Sequence, residues 1–385
     1  MLTEYFFSDQ KGDIHAGPDD LTLPFRISLS EEHPFLTLGD YFDSIRDFVL
    51  REHRKAFEDV LRKRLNDDSI GFHEIEKVLI RSEKHGALYH LASIEVFTRG
   101  GMSAKLAVST ALSEAGKLCL AREFDTLKFL NHTFNVSYVP EPYLKGVVKR
   151  QVGSEKESLD MFLTEWFEDY HEWHLSYDEN VKEQRIRIWD LKNGHRIATS
   201  KEGFEIFRQA SGILTLYYNT QDFRQIYPWH HAAGDFVVKS KDRVIEVKLA
   251  SARQYKTVMA FPSKEAINPM VSLVYFFLDL TVRMRLDKLE GIGQTAWADG
   301  FSIKATTTGF FDGLLVMESE GRYGLGNIED LLSLLKGFSD DELRKLYDSL
   351  LDLYRYGDPG NLAVIRANLD NHISRLHYVL QRFRL

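Results

Sequence analysis

The side chains with the clearest chemical potential are His230, His231 and Asp235, which fall within six consecutive positions of the segment 227–238, YPWHHAAGDFVV. The apolar residues after Asp235 predict a strand, which places the three side chains on a loop that enters it. Such loops often carry functional residues because a rigid scaffold holds them in place.

Three interpretations fit these residues. An imidazole with its ordinary pKa of about 6.5 can act as an acid or base near neutral pH. Imidazole and carboxylate groups also bind transition metals, although adjacent histidines on an extended chain point to opposite sides and rarely reach one ion. In the third interpretation, Trp229 and the histidines pack to hold the loop, and Asp235 caps a turn.

Composition narrows the class of protein. The length of 385 residues allows two or three domains, or one domain with two lobes. Hydrophobic residues make up 44% and charged residues 28%, which is typical of globular proteins. Lysine and arginine total 49 against 57 acidic residues, a net charge of −8, and no basic region stands out. We therefore expect no nucleic-acid partner, because domains that bind nucleic acid present clustered positive charge.

Cysteine usage and hydropathy indicate a compartment. Cys119 is the single cysteine, so a disulfide within the chain is excluded and a reducing environment is expected. The first residues lack the basic start and apolar run of a signal peptide. The most apolar helical stretch, 271–278, meets Asp279 at once and is too short to span a membrane. We expect a cytoplasmic protein with no membrane partner.

The first half of the chain changes periodicity. Residues 1–37 contain glycine and proline breakers and are predicted to be irregular. Apolar residues recur every three or four positions over 38–66, which predicts a helix. Three strands are predicted within 74–112, then a helix over about 113–131 and a strand over 158–165.

The second half is predicted to be mainly helical. Helices are expected near 201–220 and 267–290, with a strand pair at 235–250 and a hairpin within 297–318. Ser339 followed by Glu342 forms a capping-box pattern, which predicts the start of another helix. A last helix is predicted over about 361–383.

This order of elements resembles the protein-kinase-like fold in its aminoglycoside and choline phosphotransferase branch. Lys105 in a strand and Glu123 in the next helix look like the lysine–glutamate pair that holds nucleotide phosphates in that family. Residues 138–142, YVPEP, resemble the strand entry that follows this helix. With the loop at 227–236 and its strand pair, the similarity covers about residues 75–290.

The resemblance also implies cofactors and their contacts. Residues 161–168 resemble the strand that leads into the hinge, where Glu165 and Phe167 are the expected nucleotide contacts. Together with Lys105, Glu123 and Lys248, they form the predicted cofactor site for ATP and Mg²⁺. The resemblance to the family's glycine-rich nucleotide-binding loop is weak, because residues 82–87 contain a single glycine and offer few close backbone N–H groups to phosphate.

The implied fold class is α+β and bilobal, with a small antiparallel-sheet N-lobe and a mainly helical C-lobe. The predicted lobes cover 71–168 and 169–325. An N-terminal extension with a helix covers 1–70, and a C-terminal helical extension covers 326–385.

Three positions depart from the family pattern. Members carry His-Gly-Asp, with the aspartate as base, and a magnesium-binding asparagine five positions later. Here Pro228-Trp229-His230 and Asp235 stand in those places, and Lys248 stands where a second magnesium-binding aspartate is expected. Because Mg²⁺ requires hard oxygen ligands and phosphoryl transfer depends on metal-borne charge neutralisation, this pattern argues against ordinary ATP-dependent transfer.

The positive charges near the strand pair allow two interpretations. Lys248 and Arg253 could bind an anionic group in place of the metal. Alternatively, a salt bridge from Lys248 to Asp235 could substitute for the metal.

The segment around Trp166 and Trp173 also allows two interpretations. His171 and His174 could bind a metal only if the segment were helical and a third ligand converged on them. The alternative is an aromatic packing cluster.

Three functional hypotheses follow. The leading one is a degenerate kinase-like protein, in a regulatory role, that binds a nucleotide or small anionic ligand in an interlobe cleft without magnesium-dependent catalysis. The second is a phosphotransferase acting on a small hydroxyl- or amine-bearing acceptor, with His230 as base and Asp235 as the sole carboxylate on the metal. The third is a structural partner-binding protein that uses the C-terminal helices, about 327–383, as a docking surface or to form a homodimer.

Overall fold

The structure is a computed structural model, and it describes residues 1–9, 12–27, 31–86, 88–178, 182–190, 193–258, 268–357 and 359–385. It is a mixed α+β protein, as the sequence predicts. The chain forms two compact units, Met1–Glu168 and Asp169–Leu385. The assignment of 1–70 and 326–385 as separate extensions stays a prediction.

The first unit contains nine strands and four α-helices among its described residues. The strands are β1 (Leu2–Asp9), β2 (Gly12–His15), β3 (Pro24–Arg26), β4 (Glu32–Thr37), β5 (Ile75–His85), β6 (His90–Thr98), β7 (Ser103–Ala111), β8 (Pro142–Val152) and β9 (Glu155–Glu165). The helices are α1 (Pro18–Leu21), α2 (Leu38–Asp47), α3 (Arg54–Leu65) and α4 (Glu114–Thr133), with a π-helical turn, Phe48–Glu52, between α2 and α3.

Seven of these strands form one mixed sheet in the spatial order β2-β1-β5-β6-β7-β9-β8. β1 and β5 pair in parallel, whereas the other neighbours are antiparallel. The prediction that residues 1–37 are irregular is wrong, because β1 and β2 belong to this sheet and β3 pairs with β4. The sequence pattern missed β1 because its partner strand lies far along the chain.

Helices cover both faces of this sheet. Because side chains alternate between the faces along each strand, one strand can contribute to the packing on both. On one face, α2 and α3 bury large side chains such as Phe42 and Phe57 in the main core. On the other face, α4 packs Leu120 and Phe124 against Phe162 of β9. The side chains of β7 therefore divide between two cores, and Lys105 belongs to the strand that both cores share.

The second unit contains nine strands and six α-helices among its described residues. The strands are β10 (His171–Asp178), β11 (Glu183–Ile188), β12 (Arg196–Ile197), β13 (Arg224–Ile226), β14 (Phe236–Lys241), β15 (Val244–Leu249), β16 (Tyr255–Thr257), β17 (Leu286–Lys288) and β18 (Thr295–Trp297). The helices are α5 (Ser200–Leu216), α6 (Pro269–Arg283), α7 (Phe301–Ser319), α8 (Ile328–Gly337), α9 (Asp340–Gly357) and α10 (Pro359–Arg382).

Five strands of this unit form an antiparallel sheet in the order β12-β11-β10-β14-β15, and β13–β16 and β17–β18 form two small ladders. The predicted hairpin within 297–318 is wrong, since α7 covers most of that segment. Its threonines and glycines disfavour a helix locally, but α7 is buried against α5. A Cβ at Gly309 would lie 1.8 Å from the carbonyl oxygen of Arg208, so this close approach requires glycine.

The capping box at the start of α9 is confirmed. The Glu342 amide donates to Ser339 Oγ at 3.3 Å, and the Ser339 amide donates to the Glu342 carboxylate at 2.9 Å. Across the described ranges, every helix is too short or too polar to span a bilayer.

Candidate functional site

Lys105 of β7 pairs with a different carboxylate from the one predicted. Its ammonium group lies 3.2 Å from the Glu83 carboxylate and 4.0 Å from the centre of the Trp166 ring. Glu123, the predicted partner, is 2% exposed and accepts a hydrogen bond from the Tyr89 hydroxyl. The ion pair at Lys105 therefore comes from the sheet itself rather than from α4.

The two predicted hinge residues lie at the end of the first unit. Glu165 is the last residue of β9, and its carboxylate accepts a hydrogen bond of 2.9 Å from Arg64 of α3. Phe167 follows two positions later and is partly exposed. Their contact with a nucleotide stays a prediction.

Asp235 of the second unit is held by three donors on its carboxylate. Arg253 donates from both of its terminal nitrogens, each at 2.7 Å, and the His230 amide donates at 2.8 Å. Asp235 is 1% exposed, and the Arg253 side chain is 19% exposed. A two-pronged guanidinium–carboxylate contact of this kind is strong and geometrically specific.

The salt bridge to Asp235 was predicted from Lys248, but Arg253 makes it. Lys248 lies in β15, opposite Val237 of β14, and is partly exposed. Arg253 follows β15 and reaches back to the start of the strand pair. Arg253 was predicted only as a cation that could bind an anionic group, and the tertiary structure pairs it with Asp235.

The two adjacent histidines differ in environment. His230 is partly exposed, whereas His231 is 1% exposed and lies in a box of four aromatic rings: Trp173, Phe207, Trp229 and Phe236. Within the described ranges, neither ring nitrogen of His231 makes a well-formed hydrogen bond. His231 therefore serves packing in this loop, and a catalytic role for His230 stays a prediction.

Burial lowers the pKa of His231 to about 4. In the unfolded chain this ring takes up a proton below about pH 6.5, whereas in the folded chain it stays neutral down to about pH 4. The free energy of unfolding therefore falls as the pH drops from about 6.5 to about 4. We predict that His231→Phe makes this fall shallower by about 1.4 kcal/mol per pH unit. Urea unfolding of parent and variant from about pH 7 to about pH 4.5 measures the difference.

The matched control is His132→Phe, because His132 is an exposed histidine. It should leave the pH dependence of the free energy of unfolding as it is in the parent. Equal acid sensitivity of the parent and His231→Phe would contradict the assignment of His231 as a buried neutral histidine.

A buried ionic cluster that sequence analysis missed lies beside the same loop. His174 of β10 contacts Asp287 at 3.4 Å through Nδ1 and Glu172 at 3.6 Å through Nε2. Burial acts to lower the pKa of His174, but hydrogen bonds and charges from Asp287 and Glu172 outweigh it and raise the pKa to about 9. Gly234 of the loop has a φ of +70°, in the left-handed region that favours glycine, and it lies beside the Glu172 carboxylate.

The metal interpretation of His171 and His174 is wrong, because both residues belong to the strand β10. Three positions apart on a strand, they point to opposite faces rather than to one ion. The signal that could have identified this strand is the alternation of apolar and polar residues after Glu172.

Asp235, the residue predicted to bind magnesium, does not fit that role. Both oxygens of Asp235 are bound by Arg253. Within the described part of the chain, no group of three His, Cys, Asp or Glu side chains is placed to hold a metal ion.

A scan against protein-family models and a search of curated proteins found no match.

Proposed function

We propose that this chain is a degenerate member of the protein-kinase-like fold that binds a nucleotide or another small anionic ligand without magnesium-dependent phosphoryl transfer. The proposal includes a cytoplasmic location and a regulatory role. One observation carries it: the guanidinium of Arg253 binds the carboxylate that stands in the place of a metal ligand in the resembled family.

The order of elements in the first unit supports the kinase-like fold. Three antiparallel strands, β5 to β7, are followed by α4 and then by the hairpin β8–β9. The second strand of that hairpin returns to pair with β7. This order of five strands with one inserted helix is the one that the resemblance implies. The prediction of a small antiparallel sheet is wrong, because β1 and β2 extend the sheet to seven strands and β1 pairs with β5 in parallel. In the second unit, α5 precedes the loop and the pair β14–β15.

The charge at Asp235 supports the absence of ordinary catalysis. A metal ion would have to displace the guanidinium from a carboxylate that is almost fully buried. The ion would therefore have to outcompete a two-pronged guanidinium–carboxylate contact, which is strong and geometrically specific. The active phosphotransferase hypothesis requires this exchange, so the ion pair counts against magnesium-dependent transfer through Asp235.

Titration calorimetry and thermal shift with ATP, with and without Mg²⁺, test the proposal. We expect ATP to raise the apparent stability, because a ligand specific to the folded state adds about 2.7 kcal/mol at a hundredfold excess over its Kd. We also expect Mg²⁺ to leave the affinity unchanged, and no ADP to form.

Two outcomes contradict the proposal. Robust magnesium-dependent turnover of ATP with a small acceptor would establish the phosphotransferase hypothesis instead. No stabilisation by ATP, ADP or inorganic pyrophosphate at millimolar concentration would remove the ligand-binding part. Asp235→Ala is the matched variant, because turnover through a metal at Asp235 should vanish in it.

A further inference from the structure

The strand β5 carries an irregularity at Glu83. Ser82 pairs with Ala92 of β6, whereas Lys84 pairs with Leu91, so Glu83 is an extra residue between two consecutive pairs. A bulge of this kind re-aims the side chain of the extra residue. The Glu83 side chain is 10% exposed and therefore points into the protein.

The Glu83 carboxylate is bound by donors from three other strands. The Ser8 hydroxyl of β1 donates to one oxygen at 2.5 Å, and the Ser93 hydroxyl of β6 donates to the other at 2.5 Å. The Lys105 ammonium group of β7 lies 3.2 Å from that second oxygen. We call Ser8, Ser93 and Lys105 the donor cradle.

The donor cradle has the chemistry of an anion site. It combines two hydroxyl donors with one ammonium group, and phosphate oxygens accept hydrogen bonds from these groups as a carboxylate does. The Trp166 ring lies against the Lys105 ammonium group and restricts its position. Lys105 is itself mostly buried, at 18% exposure, so its charge needs an anionic partner.

We infer that the donor cradle is a binding site for a phosphate-class anion and that Glu83 occupies it as an internal competitor. Ligand phosphate must displace the Glu83 carboxylate to reach Lys105. This inference deepens the proposed function and rests on it only for the nucleotide, because the cradle itself requires nothing beyond a phosphate group.

The competing explanation is a purely structural ion pair, in which removal of Glu83 only destabilises the sheet. The two explanations differ in ligand binding. An internal competitor, once removed, leaves Lys105 and two hydroxyls for an external anion. A structural pair, once broken, leaves a less stable protein with no new affinity. Glu95, the cross-strand neighbour of Lys105, does not replace Glu83, because Arg81 binds its carboxylate at 2.7 Å.

The experiment measures Kd for inorganic pyrophosphate and for ATP without metal, by titration calorimetry on the full chain. We expect Glu83→Ser to bind pyrophosphate at least about tenfold more tightly than the parent, since it removes the competing charge. Adding Lys105→Met should abolish that gain. The matched control is Glu76→Ser, which removes the same charge from an exposed position of the same strand.

Several outcomes overturn the inference: a folded Glu83→Ser with no gain in affinity, a gain that survives Lys105→Met, or an equal gain in Glu76→Ser. If Glu83→Ser does not fold, Glu83→Gln replaces it, since it keeps the shape and removes the charge. In Glu83→Gln, a gain in pyrophosphate affinity below about tenfold that Lys105→Met abolishes supports the inference, and no gain overturns it.

The same titrations separate this inference from the proposed function. If pyrophosphate binds Glu83→Ser through Lys105 and ATP binds neither protein, the inference stands and the nucleotide part of the proposed function fails. If ATP binds the parent and Glu83→Ser equally well, the proposed function stands and the inference fails.

Discussion

Asp279→Ala is expected to lower the free energy of unfolding by about 3–5 kcal/mol, the largest effect we predict for a single substitution. Asp279 and Arg283 form an ion pair of 2.9 Å within α6, and their side chains are 8% and 4% exposed. Alanine would leave the guanidinium of Arg283 buried and without its carboxylate.

The cost is large because further hydrogen bonds depend on the two members of this ion pair. The Tyr354 hydroxyl of α9 donates to Asp279 at 2.6 Å, and Arg283 donates to the Tyr227 hydroxyl at 2.9 Å. Burial acts to lower the pKa of Arg283, but the charge of Asp279 outweighs it and raises the pKa above its ordinary range. One network thus joins α6, α9 and the start of the loop that carries Asp235.

Urea unfolding of three variants checks this prediction. Asp279→Ala should show the full loss, whereas the double variant Asp279→Ala, Arg283→Met should recover part of it, because no buried charge remains unpaired. Asp352→Ala is the matched control, since it breaks an exposed ion pair with Arg355 and should change stability little. A loss in Asp279→Ala no larger than in the control would contradict a buried, charge-paired network.

The second large effect is expected at Arg253. Arg253→Ala should lower the free energy of unfolding by about 3 kcal/mol, since it strands the carboxylate of Asp235, which is 1% exposed. Arg253→Lys should lose less, because it keeps the charge and gives up only the two-pronged geometry. The variants are compared by urea unfolding at neutral pH.

Adding Mg²⁺ to these samples extends the test to function. The parent should gain no stability from the ion, because Arg253 already neutralises Asp235. If Arg253→Ala were as stable as the parent, the ion pair would neither stabilise the loop nor keep a metal ion from Asp235. Mg²⁺ stabilisation of the parent would point to metal ligands other than those we describe.

The local pattern of the sequence determined the elements whose signals are self-contained. Apolar periodicity predicted the helical segment of 38–66 and the three strands from β5 to β7, and the capping box at Ser339 predicted the start of α9. The loop that enters β14 was also visible, because a polar-to-apolar transition marks the start of a strand.

Other elements depended on partners that a local pattern does not contain. β1 becomes a strand by pairing with β5, and α7 becomes a helix because burial against α5 outweighs its weak helix propensity. Sequence periodicity reflects neither pairing with a distant strand nor burial against another helix, which explains the wrong predictions for 1–37 and 297–318.

At the candidate site, the sequence indicated which residue types could do chemistry but not which residues form ion pairs with them. The sequence by itself put Lys105, His230 and Asp235 among the groups able to do chemistry. Only the tertiary structure decided that Lys105 meets Glu83 and that Asp235 meets Arg253. Ion pairs act over a few ångströms in space, and residues far apart along the chain reach that distance only after the strands and helices have packed.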